Sequence, residues 1–158
     1  MILTEESVNK ITEKLAQYPQ PKSAILPALT IAYRQVGHID ADIYTEISRI
    51  INIPMVEIAE AATFYTMFAK KPRGKYLLQV CHNISCALLG ADSLVGYLQE
   101  KLGIKIGETT EDNLFTLVTV ECLGSCATAP MIQINNDYYE NLTREKVDQI
   151  LEDLRNKA

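Results

Sequence analysis

The sequence predicts an α+β protein in two parts: an N-terminal helical bundle over residues 1–72, then a domain with a small mixed sheet over residues 73–158. Three observations lead there. Apolar residues recur at helical spacing through the first seventy positions, the period changes to that of strands after residue 75, and the basic joint KKPRGK (70–75) lies between. All four cysteines of the chain fall in the second part.

In the first part, Thr4 can cap a helix running to about Gln17, with Val8, Ile11 and Leu15 on one face. Tyr18-Pro-Gln-Pro21 breaks it. A second helix, about 22–36, is expected to bury Ile25, Leu26, Leu29 and Ile31, to tolerate Pro27 near its start, and to end at Gly37. Asp40 or Asp42 opens a third, carrying Ile43, Ile47, Ile50 and Ile51 on one side. Pro54 opens a fourth, which is expected to run through AEAATFYTMF (59–68). Its apolar end, Phe64, Tyr65, Met67 and Phe68, is expected partly to fill the core and partly to meet a partner, because four short helices make a thin core.

In the second part, KYLLQVC (75–81) has the pattern of a buried strand, and ALLGADSLVGYLQEKLG (87–103) reads as a helix ended by glycine. FTLVTVEC (115–122) and MIQIN (131–135) read as strands. Asn135-Asn136-Asp137 supplies a hairpin turn, Tyr138-Tyr139 a last strand, and Thr143 the cap of a closing helix. The order β-α-β then β-β-α is that of a minimal thioredoxin-like domain.

Composition removes several function classes. Apolar content of 47% and charged content of 22% fit a globular chain, and a formal charge of −5 without a Lys/Arg-rich patch excludes a nucleic-acid partner. No apolar run reaches the roughly 18 residues of a membrane span. The acidic opening MILTEESVNK carries no basic leader before an apolar stretch, so no secretory signal is read and a cytosolic setting is expected. In a reducing compartment, cysteines point to metal or redox chemistry rather than to disulfides.

Cys81 ends the first strand and Cys86 follows in CHNISC; Cys122 ends the second and Cys126 follows in CLGSC. If these strands run side by side in one direction, both pairs meet at one rim of the sheet. A thioredoxin-type dithiol needs C-x-x-C, which is absent. Zinc takes four thiolates tetrahedrally, and a [2Fe–2S] cluster takes two on each iron; spacing alone leaves both open. Gly124 and the small neighbours Ser125, Ala127 and Ala129 suit a loop that wraps a cluster. A Rieske site would need a second histidine beside CLGSCATAP, so His82 and His38 are not expected as ligands. The chain carries no Gly-rich dinucleotide fingerprint, P-loop or nucleophile elbow.

Residues 112–130, DNLFTLVTVECLGSCATAP, resemble the signature of the small thioredoxin-like [2Fe–2S] subunit of respiratory complex I. Asp112, Phe115, Thr116, Cys122, Leu123, Gly124, Cys126, Ala129 and Pro130 each satisfy that pattern, and similarity extends over almost the whole chain. The resemblance implies a [2Fe–2S] cluster bound by Cys81, Cys86, Cys122 and Cys126. It also implies a partner flavoprotein that carries FMN and binds NAD(H), with further iron–sulfur subunits in the same complex. The chain would be a non-catalytic electron-transfer subunit. NAD-linked and electron-bifurcating hydrogenases and NAD-dependent formate dehydrogenases use a similar subunit, and the sequence does not choose among them. A free-standing thioredoxin-like ferredoxin and a zinc-stabilised interaction module are the alternatives.

Overall fold

The computed structural model describes residues 2–157 and divides into two compact units, Met1–Pro72 and Arg73–Ala158. The first contains four α-helices, α1 (Glu5–Leu15), α2 (Ile25–Val36), α3 (Ala41–Ile51) and α4 (Met55–Phe64), with a 3-10 turn at Pro21–Ala24. Capping sets the starts. Thr4 Oγ1 accepts from Ser7 N–H, and Asp40 accepts from the Asp42 and Ile43 amides, so orphan donors of the first turns are satisfied. Gly37, at φ +81°, closes α2 in a left-handed conformation open to glycine.

The core of this unit is rich in isoleucine: Ile11, Ile25, Ile39, Ile43, Ile47, Ile51 and Ile58 are buried, joined by Leu29, Phe68 and small residues. Two expectations change here. Leu26 is exposed and Ile31 only half-buried, because Ala28 and Ala32 form the close-packed face of α2. The fourth helix stops at Phe64 rather than continuing to Phe68, since Tyr65 is extended at φ −86°, ψ 109°. The turn that follows sends Phe68 back into the core, edge-on to Tyr33 at 5.8 Å, and leaves Phe64 and Met67 exposed. Lys70 Nζ reaches back to the Ala62 carbonyl and accordingly satisfies one acceptor at the end of α4.

The second unit contains β1 (Tyr76–Cys81), α5 (Ile84–Leu88), α6 (Ala91–Leu102), β2 (Phe115–Val120), β3 (Ile132–Ile134), β4 (Asp137–Tyr139) and α7 (Arg144–Asn156). The sheet order is β2-β1-β3-β4, with β1 and β2 parallel and the remaining pairs antiparallel. This is a four-stranded mixed sheet of thioredoxin-like form. Leu78, Val80, Leu117, Ile132 and Ile134 of the strands pack with Leu94, Leu98 and Leu151 of the helices.

Two boundaries differ from the periodic reading. The single helix expected over 87–103 is broken at Gly90, whose φ of +96° separates α5 from α6. β2 ends at Val120, opposite Cys81, so Glu121 and Cys122 lie beyond the strand in the loop.

Gly74, just before β1, fixes how closely the chain can approach the start of β2. A Cβ there would stand 2.9 Å from the backbone of Leu114 and Phe115, while its N–H donates to Thr116 Oγ1 at 2.7 Å. Backbone cannot yield as a flexible side chain can. Gly74→Ala is expected to destabilise the second unit by about 1–3 kcal/mol, as overpacking does; urea unfolding measures it.

Candidate metal centre

Parallel pairing of β1 with β2 places Cys81 opposite Val120, so the loops carrying both cysteine pairs leave the same rim. The rim is cross-tied. His82 N–H donates to the Val120 carbonyl at 3.2 Å, and Asn83 Nδ2 donates to Glu121 Oε2 at 2.8 Å. Asn83 also caps the short helix α5 through Ile84 N–H, which fixes the direction in which Cys86 is presented.

Cys81 and Cys86 are buried, at 3% and 2% exposure, with Ala91 and Met131; Leu123 and Ala129 of the other cysteine loop pack against this nest. Cys122 and Cys126 are exposed, and their Sγ atoms lie 3.6 Å apart. That is far outside a disulfide bond. It is close to the about 3.8 Å expected for two thiolates on one tetrahedral metal with bonds of about 2.3 Å. Thus one pair is sealed in the sheet edge and the other stands at the surface.

Backbone amides are directed at the sulfurs. Gly124 N–H donates to Cys122 Sγ at 3.4 Å, while the Asn83 and Leu123 amides face Cys81 Sγ and the Met131 amide faces Cys86 Sγ. Gly124 adopts φ +83°, a conformation that glycine enters without penalty. Burial pushes the Cys81 thiol up, but the two amides and the Cys86 thiol outweigh it, so Cys81 lies below the ordinary thiol range despite opposition from Glu121. Cys86 is raised by burial and by donating to Cys81.

The donors suit a two-iron group. Four sulfurs sit as two pairs with amides facing three of them, and negative charge on thiolates is what such amides stabilise. Among the described residues no three His, Cys, Asp or Glu side chains converge on a single-ion site. Neither histidine joins the sulfurs: His82 Nε2 lies 3.8 Å from Glu121, and His38 Nε2 lies 3.6 Å from Asp40.

Residues 138–142 strap the second cysteine loop from outside. Tyr138 Oη donates to the Leu123 carbonyl at 2.8 Å, and the Asn141 and Leu142 amides donate to the Thr128 and Pro130 carbonyls at 2.7 and 3.0 Å. The Glu140 carboxylate accepts from Ser125 Oγ and from Thr128 Oγ1. Sequence reasoning misses these contacts. Tyr138 and Glu140 carry no local signal for them, since the strap exists only because the β3–β4 hairpin folds beside the loop.

The Ser125 and Thr128 hydroxyls hold the Glu140 carboxyl below its ordinary value. A depressed carboxyl stabilises the fold above its unfolded value, about 4.3, and that contribution disappears as pH falls through the folded value. Glu140→Gln is thus expected to be less stable than wild type at pH 7, with a smaller difference at pH 3, below the unfolded value. Urea unfolding of the cluster-free chains at the two pH values checks it.

The model of the thioredoxin-like [2Fe-2S] ferredoxin family matches residues 11–155. An NADH-quinone oxidoreductase subunit of Rhizobium meliloti (strain 1021) is 44% identical over 146 residues, covering 92% of this chain and 87% of its own. The corresponding NADH-quinone oxidoreductase subunit of Rickettsia conorii (strain ATCC VR-613 / Malish 7) is 43% identical over 155 residues, or 96% and 93%. Among solved structures, an NAD+-reducing [NiFe]-hydrogenase in the air-oxidised state superposes with a TM-score of 0.71 at 26% identity. The match covers 84% of this chain but only 23% of that one, so the likeness concerns a part of the hydrogenase polypeptide. No helix among the described residues is long and apolar enough to cross a membrane. The fold, the paired thiols at one sheet rim and these relatives together make the chain a member of the thioredoxin-like [2Fe-2S] ferredoxin family.

Proposed function

We propose that this chain is the electron-transfer subunit of a complex I-type NADH:quinone oxidoreductase, with Cys81, Cys86, Cys122 and Cys126 as the ligands of one [2Fe–2S] cluster. The observation that carries the ligand assignment is the meeting of two cysteine pairs at one rim, with backbone amides directed at three of the four sulfurs. Relatives that are 44% and 43% identical are NADH-quinone oxidoreductase subunits, whereas the NAD+-reducing hydrogenase stands at 26%, which favours the first parent complex.

A bound [2Fe–2S] cluster supplies one-electron storage. The chain's own residues do the rest. Cys81 and Cys86 anchor one side in an apolar nest that excludes water. Cys122 and Cys126 form the exposed side, where an electron-exchange partner approaches. The partner is a flavoprotein that binds NAD(H) and FMN, because flavin converts two-electron hydride chemistry into single-electron steps. Further iron–sulfur subunits continue the path.

Anaerobic purification with iron and sulfide assay, and EPR after dithionite reduction, tests this. Two irons and two sulfides per chain with a one-spin rhombic signal are expected, followed by co-purification of a flavoprotein. A colourless chain holding one zinc refutes it and leaves an interaction module.

A further inference from the structure

Tyr138 and Cys122 are linked through one peptide group. The Leu123 carbonyl accepts from Tyr138 Oη at 2.8 Å, and the N–H of that same peptide unit, on Gly124, donates to Cys122 Sγ at 3.4 Å. In a trans peptide the C=O and N–H point to opposite sides, so fixing the oxygen fixes the direction of the hydrogen. Gly124 sits at φ +83° with no atom within 4 Å of the place a Cβ would occupy. At the Gly124 end no steric contact from outside the loop holds this peptide plane, and the Tyr138 hydroxyl restrains it through the Leu123 carbonyl. Donation to the carbonyl also polarises the unit and strengthens its N–H as a donor.

We infer that Tyr138 is a positioning residue for electron transfer: by holding the Leu123–Gly124 peptide, it keeps an N–H on Cys122 Sγ and makes reduction of the bound cluster more favourable. This rests on Cys122 being a cluster ligand, as proposed above. Reduction adds one electron and hence one negative charge to the cluster and its thiolates. A donor facing a sulfur stabilises the more negative state more, so it raises the midpoint potential. Tyr138 acts on the loop through the Leu123 carbonyl. Its effect passes through the peptide.

The other contacts of the strap argue for a specific role. Asn141 and Leu142 amides hold the Thr128 and Pro130 carbonyls, and Glu140 holds two hydroxyls, so the far half of the loop is secured without Tyr138. Removing its hydroxyl takes away the restraint on the Leu123 carbonyl and leaves Leu123 packed on the nest and the rest of the loop tied.

The test is an anaerobic redox titration of the full chain, followed by EPR, for wild type, Tyr138→Phe and Tyr139→Phe. Iron and sulfide are assayed in each. Tyr138→Phe is expected to keep two irons and two sulfides while its reduction equilibrium falls roughly three- to tenfold, about 30 to 59 mV more negative for one electron. Tyr139→Phe removes the neighbouring hydroxyl from a ring that packs on the sheet core, and is expected to match wild type. A loaded Tyr138→Phe chain with the wild-type potential overturns the inference, as does an equal shift in Tyr139→Phe. If Tyr138→Phe assembles no cluster, 3-fluorotyrosine placed at 138 decides: at pH 6 it is a stronger donor of nearly the same size, so the potential must rise, and an unchanged value overturns the inference. Wild type without iron and sulfide refutes the functional reading instead, a distinct result.

Discussion

Cys126→Ala is expected to yield a folded chain that holds no [2Fe–2S] cluster, losing the visible absorbance, the iron and the reduced EPR signal together. Cys122→Ala should do the same. The four cysteines should nevertheless separate into two classes by their effect on the protein without cluster. Cys122 and Cys126 are exposed, so a methyl there removes little buried surface and should leave urea unfolding near wild type. Cys81 and Cys86 are sealed among Ala91, Met131, Leu123 and Ala129, and each sulfur accepts backbone N–H groups. Cys81→Ala leaves the Asn83 and Leu123 amides facing a methyl group, and an unsatisfied buried donor costs about 1–3 kcal/mol. The buried pair should therefore lose both cluster and stability, the exposed pair the cluster alone. Retention of two irons by Cys126→Ala would remove it from the ligand set.

That division could not be read from the spacing of CHNISC and CLGSC, which treats the two pairs alike. What spacing and local chemistry do encode is the set of caps and breaks. Thr4, Gly37, Asp40, Gly103 and Thr143 stand where the sequence places them, because an Ncap hydroxyl or a left-handed glycine acts within its own turn. Errors arise where a distant partner decides. Residues 87–103 read as one helix, yet Gly90 breaks the segment, Leu88 and Leu89 are exposed, and Cys86 on the short helix before the break is buried in the nest. The strand FTLVTVEC loses its last two residues because its parallel partner ends at Cys81, a limit set by register. Phe64 and Phe68 share one apolar run but have opposite fates once Tyr65 leaves the helical region. That loops of this kind can aim amides at sulfur is expected from the sequence, but which amides do so is not legible there: every residue but proline has an N–H, and only backbone geometry chooses among them.

Phe115→Ala is expected to be the most destabilising core substitution in the second unit, while leaving the cluster's EPR signal unchanged below the melting transition. Phe115 is fully buried at the first position of β2, with Tyr76 stacked at 5.8 Å and the Arg155 guanidinium 5.7 Å from its ring centroid. Its backbone is pinned on both sides: N–H donates to Thr110 Oγ1 at 3.0 Å and the carbonyl accepts from Thr110 N–H at 2.9 Å. Such pinning prevents the strand from collapsing into the space vacated, so a cavity remains and the cost should fall in the range of about 3–5 kcal/mol. For a unit of this size that lowers Tm by roughly 12 °C or more. The cysteine rim lies at the other end of the same strand pair: Phe115 faces Tyr76 where the ladder begins, and Val120 faces Cys81 where it ends. Five residue steps of parallel strand, about 3.3 Å each, separate the cavity from the rim. A defect at the start should therefore shift the folding equilibrium without moving the sulfurs. Calorimetry and EPR on one sample distinguish the two effects; a loss below about 1 kcal/mol, well under the cavity range, or a changed EPR signal in the folded protein, would show that this strand pair does not act as a rigid frame.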